Sequence, residues 1–333
     1  QFYAAPLTLN PALTGNFNGL YRITGIYRNQ WPGLTNSKPA FSTPSVGADL
    51  SLLREKLKGR GALGVGLVFL NDQQNGKTFN NNEIMASVAY NMIFGKKKEF
   101  QLGVGLQGGV LMTKADLTQL KFGDEAQIDQ LGAVTFNQAM LDESLNTGQK
   151  VKGLFNIGIF AKYDFYKGMR VYLGYAFNNA THYKEDYILN SITTYNEPFR
   201  STLHGGFEFE IKDKAVLIPG FLFQHTNVSD AETEFGLTAG IHVVKSPDEM
   251  KRATLYIGLW DRLNYKNSTI IPKIGFEYHG FRAGFAYDAA LLQQRADASN
   301  IGGGMAQAFE ITLSFIGDIR IPKEDHYLFN PIY

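Results

Sequence analysis

Residues 10–33 read NPALTGNFNGLYRITGIYRNQWPG, from Asn10 to Gly33, and two kinds of signal alternate within them. Asn10-Pro11-Ala12 is punctuation, because a proline biases the preceding residue away from helix and the Gly and Asn that follow favour turns. From Gly19 a strand pattern takes over. Tyr21, Ile23, Gly25 and Tyr27 share one face, and Arg22, Thr24 and Arg28 the other, which is the period of two of β-structure. The run breaks at Trp31-Pro32-Gly33. A strand with aromatic groups outside and arginines inside suits a wall between lipid and water.

Working outward, the same alternation recurs near 19–29, 43–52, 61–70, 83–94, 100–112, 153–164, 169–178, 200–211, 215–225, 233–244, 253–262, 269–279, 281–289 and 306–316. That gives fourteen segments, an even number, as in bacterial single-chain outer-membrane barrels. In STLHGGFEFEI, Leu203, Phe207, Phe209 and Ile211 oppose His204, Glu208 and Glu210. Further on, Phe235, Leu237 and Ile241 oppose Glu234 and His242; Ile274, Phe276 and Tyr278 oppose Lys273, Glu277 and His279; Phe281 and Phe285 oppose Arg282; Phe309 and Ile311 oppose Glu310. A soluble sandwich also alternates, but buries its apolar face in a shared core. Here nearly every strand carries a large apolar face and no helices are available to cover it. Lipid outside and closure of the sheet resolve this. The fold expected is all-β: a transmembrane antiparallel β-barrel of about fourteen strands. Arg22, His204, Glu208, Glu210, His242, Lys273, Glu277, Arg282 and Glu310 are expected to face its lumen.

Composition agrees. The 333 residues include 35 glycines, 17 tyrosines and 25 phenylalanines, which favour many strands joined by turns. Mean hydropathy is slightly negative, and no uninterrupted apolar stretch reaches the roughly 18 residues of a transmembrane helix. A net charge of +1 gives no argument for nucleic acid, and the absence of cysteine removes disulfides and thiolate metal sites. Gln1 is expected to be the residue left after removal of a signal peptide.

Connections mostly alternate between two lengths, with KSPDEMKRA (245–253) long for a turn and 263–268 short for a loop. LREKLKGR, GKKKE, FYKG, KDKA and YHG are short, whereas 30–42, 71–82, 113–152, 179–199 and 290–305 are long. In outer-membrane barrels the short turns are periplasmic and the long loops extracellular, which places both termini in the periplasm. Residues 1–18 then form a periplasmic N-terminal segment, 19–316 the barrel, and 317–333 a periplasmic tail. Thr113–Lys152 is about 40 residues, far beyond ordinary loops, and is the first candidate to plug the lumen. Glu125–Leu131 and Asn137–Leu145 within it could form short helices.

The NPA-x-x-G element followed by YRNQW-x-G resembles the N-terminus of the PorP/SprF family of outer-membrane proteins, found in the type IX secretion and gliding systems of Bacteroidetes. The signature is Asn10, Pro11, Gly15, Tyr27, Arg28, Asn29, Gln30 and Trp31. The resemblance implies a non-enzymatic barrel that helps deliver or anchor a secreted adhesin, held by its C-terminal domain, at the cell surface. It also implies proximity to the periplasmic ring proteins and lipoproteins of the secretion machine, with no cofactor.

Each chemical motif has two readings. Gly103-Val-Gly105-Leu-Gln-Gly108 matches a dinucleotide fingerprint, but no helix follows it, and glycines that admit a close neighbour explain it better. Glu208 and Glu210, roughly 7 Å apart by strand rise, imitate a catalytic pair, or are lumen carboxylates paired with cations such as Lys273 and Arg282. His204, His242 and His279 line the same space without metal-ligand spacing. Arg54, Lys56, Lys58, Arg60, Lys96, Lys97 and Lys98 ring the periplasmic rim, either as a solvated edge or as a docking surface for an acidic partner. Trp31, Tyr21 and Tyr27 are belt aromatics, and Trp31 alternatively shapes the outer mouth. Three functions follow: a cargo scaffold, a transport pore, and an anchor for periplasmic machinery.

Overall fold

The period of two becomes strands β1 (Tyr21–Gln30), β2 (Phe41–Leu52), β3 (Gly61–Gln74), β4 (Phe79–Phe94), β5 (Phe100–Ala115), β6 (Gly148–Tyr166) and β7 (Met169–Asn178). They continue as β8 (Arg200–Ile211), β9 (Ala215–Thr226), β10 (Ala231–Val244), β11 (Ala253–Asn264), β12 (Asn267–Tyr278), β13 (Phe281–Gln293) and β14 (Gln307–Gly317). The computed structural model describes residues 4–30, 41–54, 56–74, 78–115, 126–128, 134–136, 148–166, 168–181, 184–185, 195–196, 199–212, 214–226, 231–244, 253–264, 267–293 and 307–317.

Each strand pairs antiparallel with its neighbours in sequence, and β1 pairs with β14 from Tyr21–Gly317 to Gln30–Ala308, closing a fourteen-stranded barrel. Closure leaves no edge to satisfy. The strands run longer than their periodic segments, and β3 and β4 reach Gln74 and Phe79, so the expected loop 71–82 is mostly sheet. A membrane strand needs only about ten residues, so β3 to β6 project beyond the apolar band.

Side chains sort by face. Leu67 is 63 % exposed and Leu259 58 % on the outside, whereas Phe160 and His204 are 0 % exposed inside. Two levels of outward aromatic pairs mark the band. Tyr21 meets Phe315 and Tyr27 meets Phe309, both at 6.1 Å between ring centroids. The levels lie about 20 Å apart along β1, close to the height of an outer-membrane apolar band. No helix among the described residues is long and apolar enough to cross a membrane.

The end of the barrel where β1 begins and β14 finishes carries the short connections. The tightest, His279-Gly280, has φ of 51° and 76° at its two residues, the left-handed pair that lets a two-residue hairpin follow the strand twist.

The residues before β1 enter the interior. Ala4 to Asn18 lie inside the wall, not below it as a periplasmic segment. Pro6–Leu9 makes one helical turn, α1, with proline in the first turn, where its missing N–H costs nothing. Pro11–Leu13 makes a 3₁₀ turn after an extended Asn10, whose Oδ1 accepts from the Ala12 N–H at 2.9 Å. The segment climbs from Asn16, which accepts from Gln101 near the start of β5, to Leu7, whose carbonyl accepts from Gln107. That is about 20 Å of strand. Leu7 packs with Val68, Met85, Leu111 and Leu154, and Leu9 and Leu13 with Phe160, Tyr172 and Leu222.

The plug expected of 113–152 is therefore supplied, as far as the described residues go, by the N-terminal segment. Within 113–152, Ala126–Ile128 is a strand paired with Val134–Phe136, not a helix. Asn137–Leu145, Trp31 and the tail beyond Gly317 lie outside the described residues.

Candidate functional site

The candidate site is the lumen wall and the segment it holds. On β3, β5, β6 and β7, inward positions that would carry side chains are glycines. A Cβ at Gly64 would strike the Thr14 main chain, one at Gly105 the Pro11–Ala12 peptide, one at Gly158 the Asn10 amide, and one at Gly174 the His204 ring. Gly15 fills the complementary role. Its φ of 66° is left-handed, and a side chain there would run into Gly64 and the Leu50 carbonyl.

Around this floor, side chains reach the segment's main chain. Arg22 Nη2 donates to Leu13 O at 3.1 Å, Gln107 Nε2 to Leu7 O at 3.0 Å, and Asn91 Nδ2 to Thr14 O at 3.4 Å. The Gly15 N–H donates to Asp49 Oδ2 at 2.8 Å. Arg22 and Asp49 form a forked ion pair at 2.9 and 2.7 Å, and the guanidinium lies 4.7 Å from the Phe17 ring centroid. Both side chains are almost fully enclosed, so the hydrogen bonds to the segment help compensate the loss of water. Asn10 Nδ2 donates to Ile159 O at 3.0 Å and lies 3.0 Å from His204 Nε2.

The other half of the lumen carries a second network. Arg28 contacts Asp288 at 2.9 Å and Glu310 at 3.7 Å; Arg262 contacts Asp288 at 2.8 Å, Glu234 at 2.6 Å and Glu232 at 3.5 Å. Lys273 sits 4.1 Å from the Trp260 ring centroid, whose indole N–H donates to Thr238 at 3.0 Å. Nearer the short-turn end, Lys162, Asp164, Arg170 and Glu208 form a chain across β6, β7 and β8 with contacts of 2.9 to 3.0 Å. Glu277 accepts from Tyr256 and pairs with Arg282, each at 3.0 Å.

The expected lumen residues are thus distributed among separate clusters. Arg22 and His204 hold the segment. Glu310 joins the Arg28 network. Glu277 and Arg282 pair with each other, and His242 Nδ1 lies 2.9 Å from Thr254 Oγ1. Glu208 pairs with Arg170, because register sets β7 beside β8. Glu210 stands at the short-turn end of β8, its N–H donating to Gly168 O at 2.6 Å. His279 occupies the hairpin turn and does not share the lumen with the other histidines. Among the described residues no group of three or more His, Asp and Glu could hold a metal.

On the short-turn rim, Lys56, Lys58, Arg60, Lys96 and Lys97 are exposed and Lys98 half-buried. Arg54 departs from that expectation: it is 7 % exposed and donates to Asn18 Oδ1 at 3.1 Å. The turn folds it inward onto the end of the N-terminal segment. Of the signature, Asn10, Pro11 and Gly15 build the lumen segment, Arg28 the charged network, and Tyr27 the outer aromatic pair. The amide of Asn29 lies 3.5 Å from the Tyr27 hydroxyl, and Gln30 ends β1. Sequence reasoning missed Asp49, Asn91, Gln101, Gln107 and Asn156. Their signal was there: polar groups at inward positions opposite inward glycines imply something polar between them.

The fold resembles solved outer-membrane barrels. A structure described as the CymD monoaromatic hydrocarbon channel covers 95 % of this chain with 93 % of its own at TM-score 0.51 and 13 % identity. A TodX deltaS2S3 mutant monoaromatic hydrocarbon channel covers 93 % with 92 % of its own at 0.51 and 10 %. The translocator domain of autotransporter NalP from Neisseria meningitidis covers 94 % with 93 % of its own at 0.45 and 10 %. At these identities the likeness is one of fold. None of the curated proteins compared with the chain matches it. Residues 1–315 match the family described as type IX secretion system membrane protein PorP/SprF, a span holding the lumen segment and nearly the whole barrel, and the chain belongs to that family of outer-membrane barrels.

Proposed function

We propose that this protein is a non-enzymatic scaffold of type IX secretion that binds a secreted adhesin through its C-terminal domain and helps deliver or anchor it at the cell surface. The short-turn end faces the periplasm and the long connections face outward, as in other outer-membrane barrels. The observation that carries this reading is the segment seated in the lumen: in a family that serves secretion, a barrel occupied on one side by its own first residues offers surfaces for holding cargo better than a standing conduit. Glu208, held in an ion pair by Arg170, is suited to building the lumen wall. The likeness to hydrocarbon channels concerns the fold, so transport stays the competing reading. An exposed basic rim is suited to an acidic periplasmic partner, whose encounter it would steer.

The test is a mild-detergent pull-down of the tagged protein from its native outer membrane, followed by mass spectrometry. Recovery of a large secreted protein held by its C-terminal domain is the expected result. Repeated recovery of a lone barrel overturns the scaffold reading in favour of transport. Recovery of periplasmic ring proteins without cargo replaces it with an anchor.

A further inference from the structure

We infer that the glycine-floored trench inside β1–β8 is a peptide-binding site whose resident ligand, the chain's own residues 4–18, is displaceable as a unit. The ligand class is an unbranched peptide with small side chains where the floor is closest. Three observations carry this together.

First, the wall grips main chain. Arg22, Gln107 and Asn91 donate to the carbonyls of Leu13, Leu7 and Thr14, and Asp49 accepts from the Gly15 N–H. Groups aimed at peptide N–H and C=O recognise a backbone path, as in other modes of peptide capture. Second, the floor admits the segment at very close range, since Cβ atoms at Gly64 and Gly105 would strike the main chain at Thr14 and Pro11–Ala12, and one at Gly158 the Asn10 side-chain amide. Third, the segment continues into the barrel wall at the short-turn mouth. Beyond Asn18 it joins β1 where Leu20 bonds the Gly317 carbonyl and Ser51, at the short-turn mouth. Its interior contacts include many polar ones, which water can replace, beside two apolar clusters and the buried Phe17 ring. A segment so held can leave through the short-turn mouth without unpairing a barrel strand.

The test uses the cysteine-free chain. A variant lacking residues 1–17 is reconstituted in a planar bilayer, and the synthetic peptide AAPLTLNPALTGNFN, residues 4–18, is then added. Conductance above that of the full chain, lost again on adding peptide, is the expected result. A folded deletion variant that conducts no more than the full chain overturns the inference, as does conductance indifferent to the peptide. Should the variant not fold, full-length Leu13→Cys decides. Leu13 is fully buried, so a membrane-impermeant maleimide labels Cys at that position only when the segment leaves. Excess peptide must raise the labelling rate by occupying the vacated trench; an unchanged rate overturns the inference. Both readouts are independent of the adhesin, so they fail or succeed separately from the scaffold reading.

Discussion

Asn10 and His204 lie 194 residues apart in the chain and meet inside the barrel, with 3.0 Å between Nδ2 and Nε2. An amide nitrogen only donates, so Nε2 is the accepting ring nitrogen, and the ring is further held by stacking on Phe160 at 6.3 Å. The same amide caps the Pro11–Leu13 turn through its oxygen. One side chain therefore shapes the segment and fastens it to the wall.

The two roles are separable. Asn10→Asp keeps an acceptor for the Ala12 N–H but loses the donor to Ile159 O and adds a buried charge; Asn10→Ala loses both roles. Losing a buried hydrogen-bond partner costs about 1–3 kcal/mol, and more for a charge. Both variants should lower the thermal unfolding midpoint, Asp at least as much as Ala, and both should raise channel openings. An Asp variant as stable as the parent would show that capping, not the wall contact, is what matters.

The Arg22–Asp49 pair is the second fastening. Removing one partner of a buried pair costs about 3–5 kcal/mol because the other charge is left uncompensated. Arg22→Met and Asp49→Asn should each destabilise by that order in denaturant titration. Arg22→Met with Asp49→Leu should recover part of the loss, but not all, since the Gly15 N–H still lacks its acceptor.

Gly158→Val adds bulk where the Asn10 amide sits, while the outer face of β6 stays as it is. The expected outcome is a barrel with normal heat-modifiable mobility on gels and raised conductance. The contrasting substitution lies outside. Ile257→Arg, at a position 55 % exposed to lipid, should cost about 2–4 kcal/mol in a bilayer without opening the lumen.

Charge reversal at Lys96 and Lys97 should leave the fold intact, because these side chains sit exposed in a turn, and should weaken retention of an acidic periplasmic partner in a co-purification assay. Arg54→Glu should instead damage folding, since it buries an acid beside the Asn18 carbonyl group.

The barrel was legible because a lipid wall forces apolar residues to one side of every strand, and Phe207, Phe235 and Phe309 fall on that period. The glycines of β5 were legible as places of close approach. What approached was not. Residues 4–18 carry no period, and α1 and the turn after it are too short for a helical signal. Asn10 read locally as the start of a turn, which it is; its wall partners Ile159 and His204 are set by barrel closure and not by neighbouring sequence. Arg54 failed for a related reason: a turn has no alternating faces, so its direction follows from the fold of the turn alone. Glu208 found Arg170 because register, and not face, chooses the partner.

The trench around residues 4–18 also fixes an order of events in assembly. Its walls reach from β1 to His204 on β8 and Leu222 on β9, so residues 4–18 have no complete seat until those strands share one sheet. Until then the polar amides of the incomplete trench lack the partners that the docked segment gives them. Maturation of the barrel is thus timed by its own geometry: a partly built sheet stays unsealed, and sealing reports that the strands are in place.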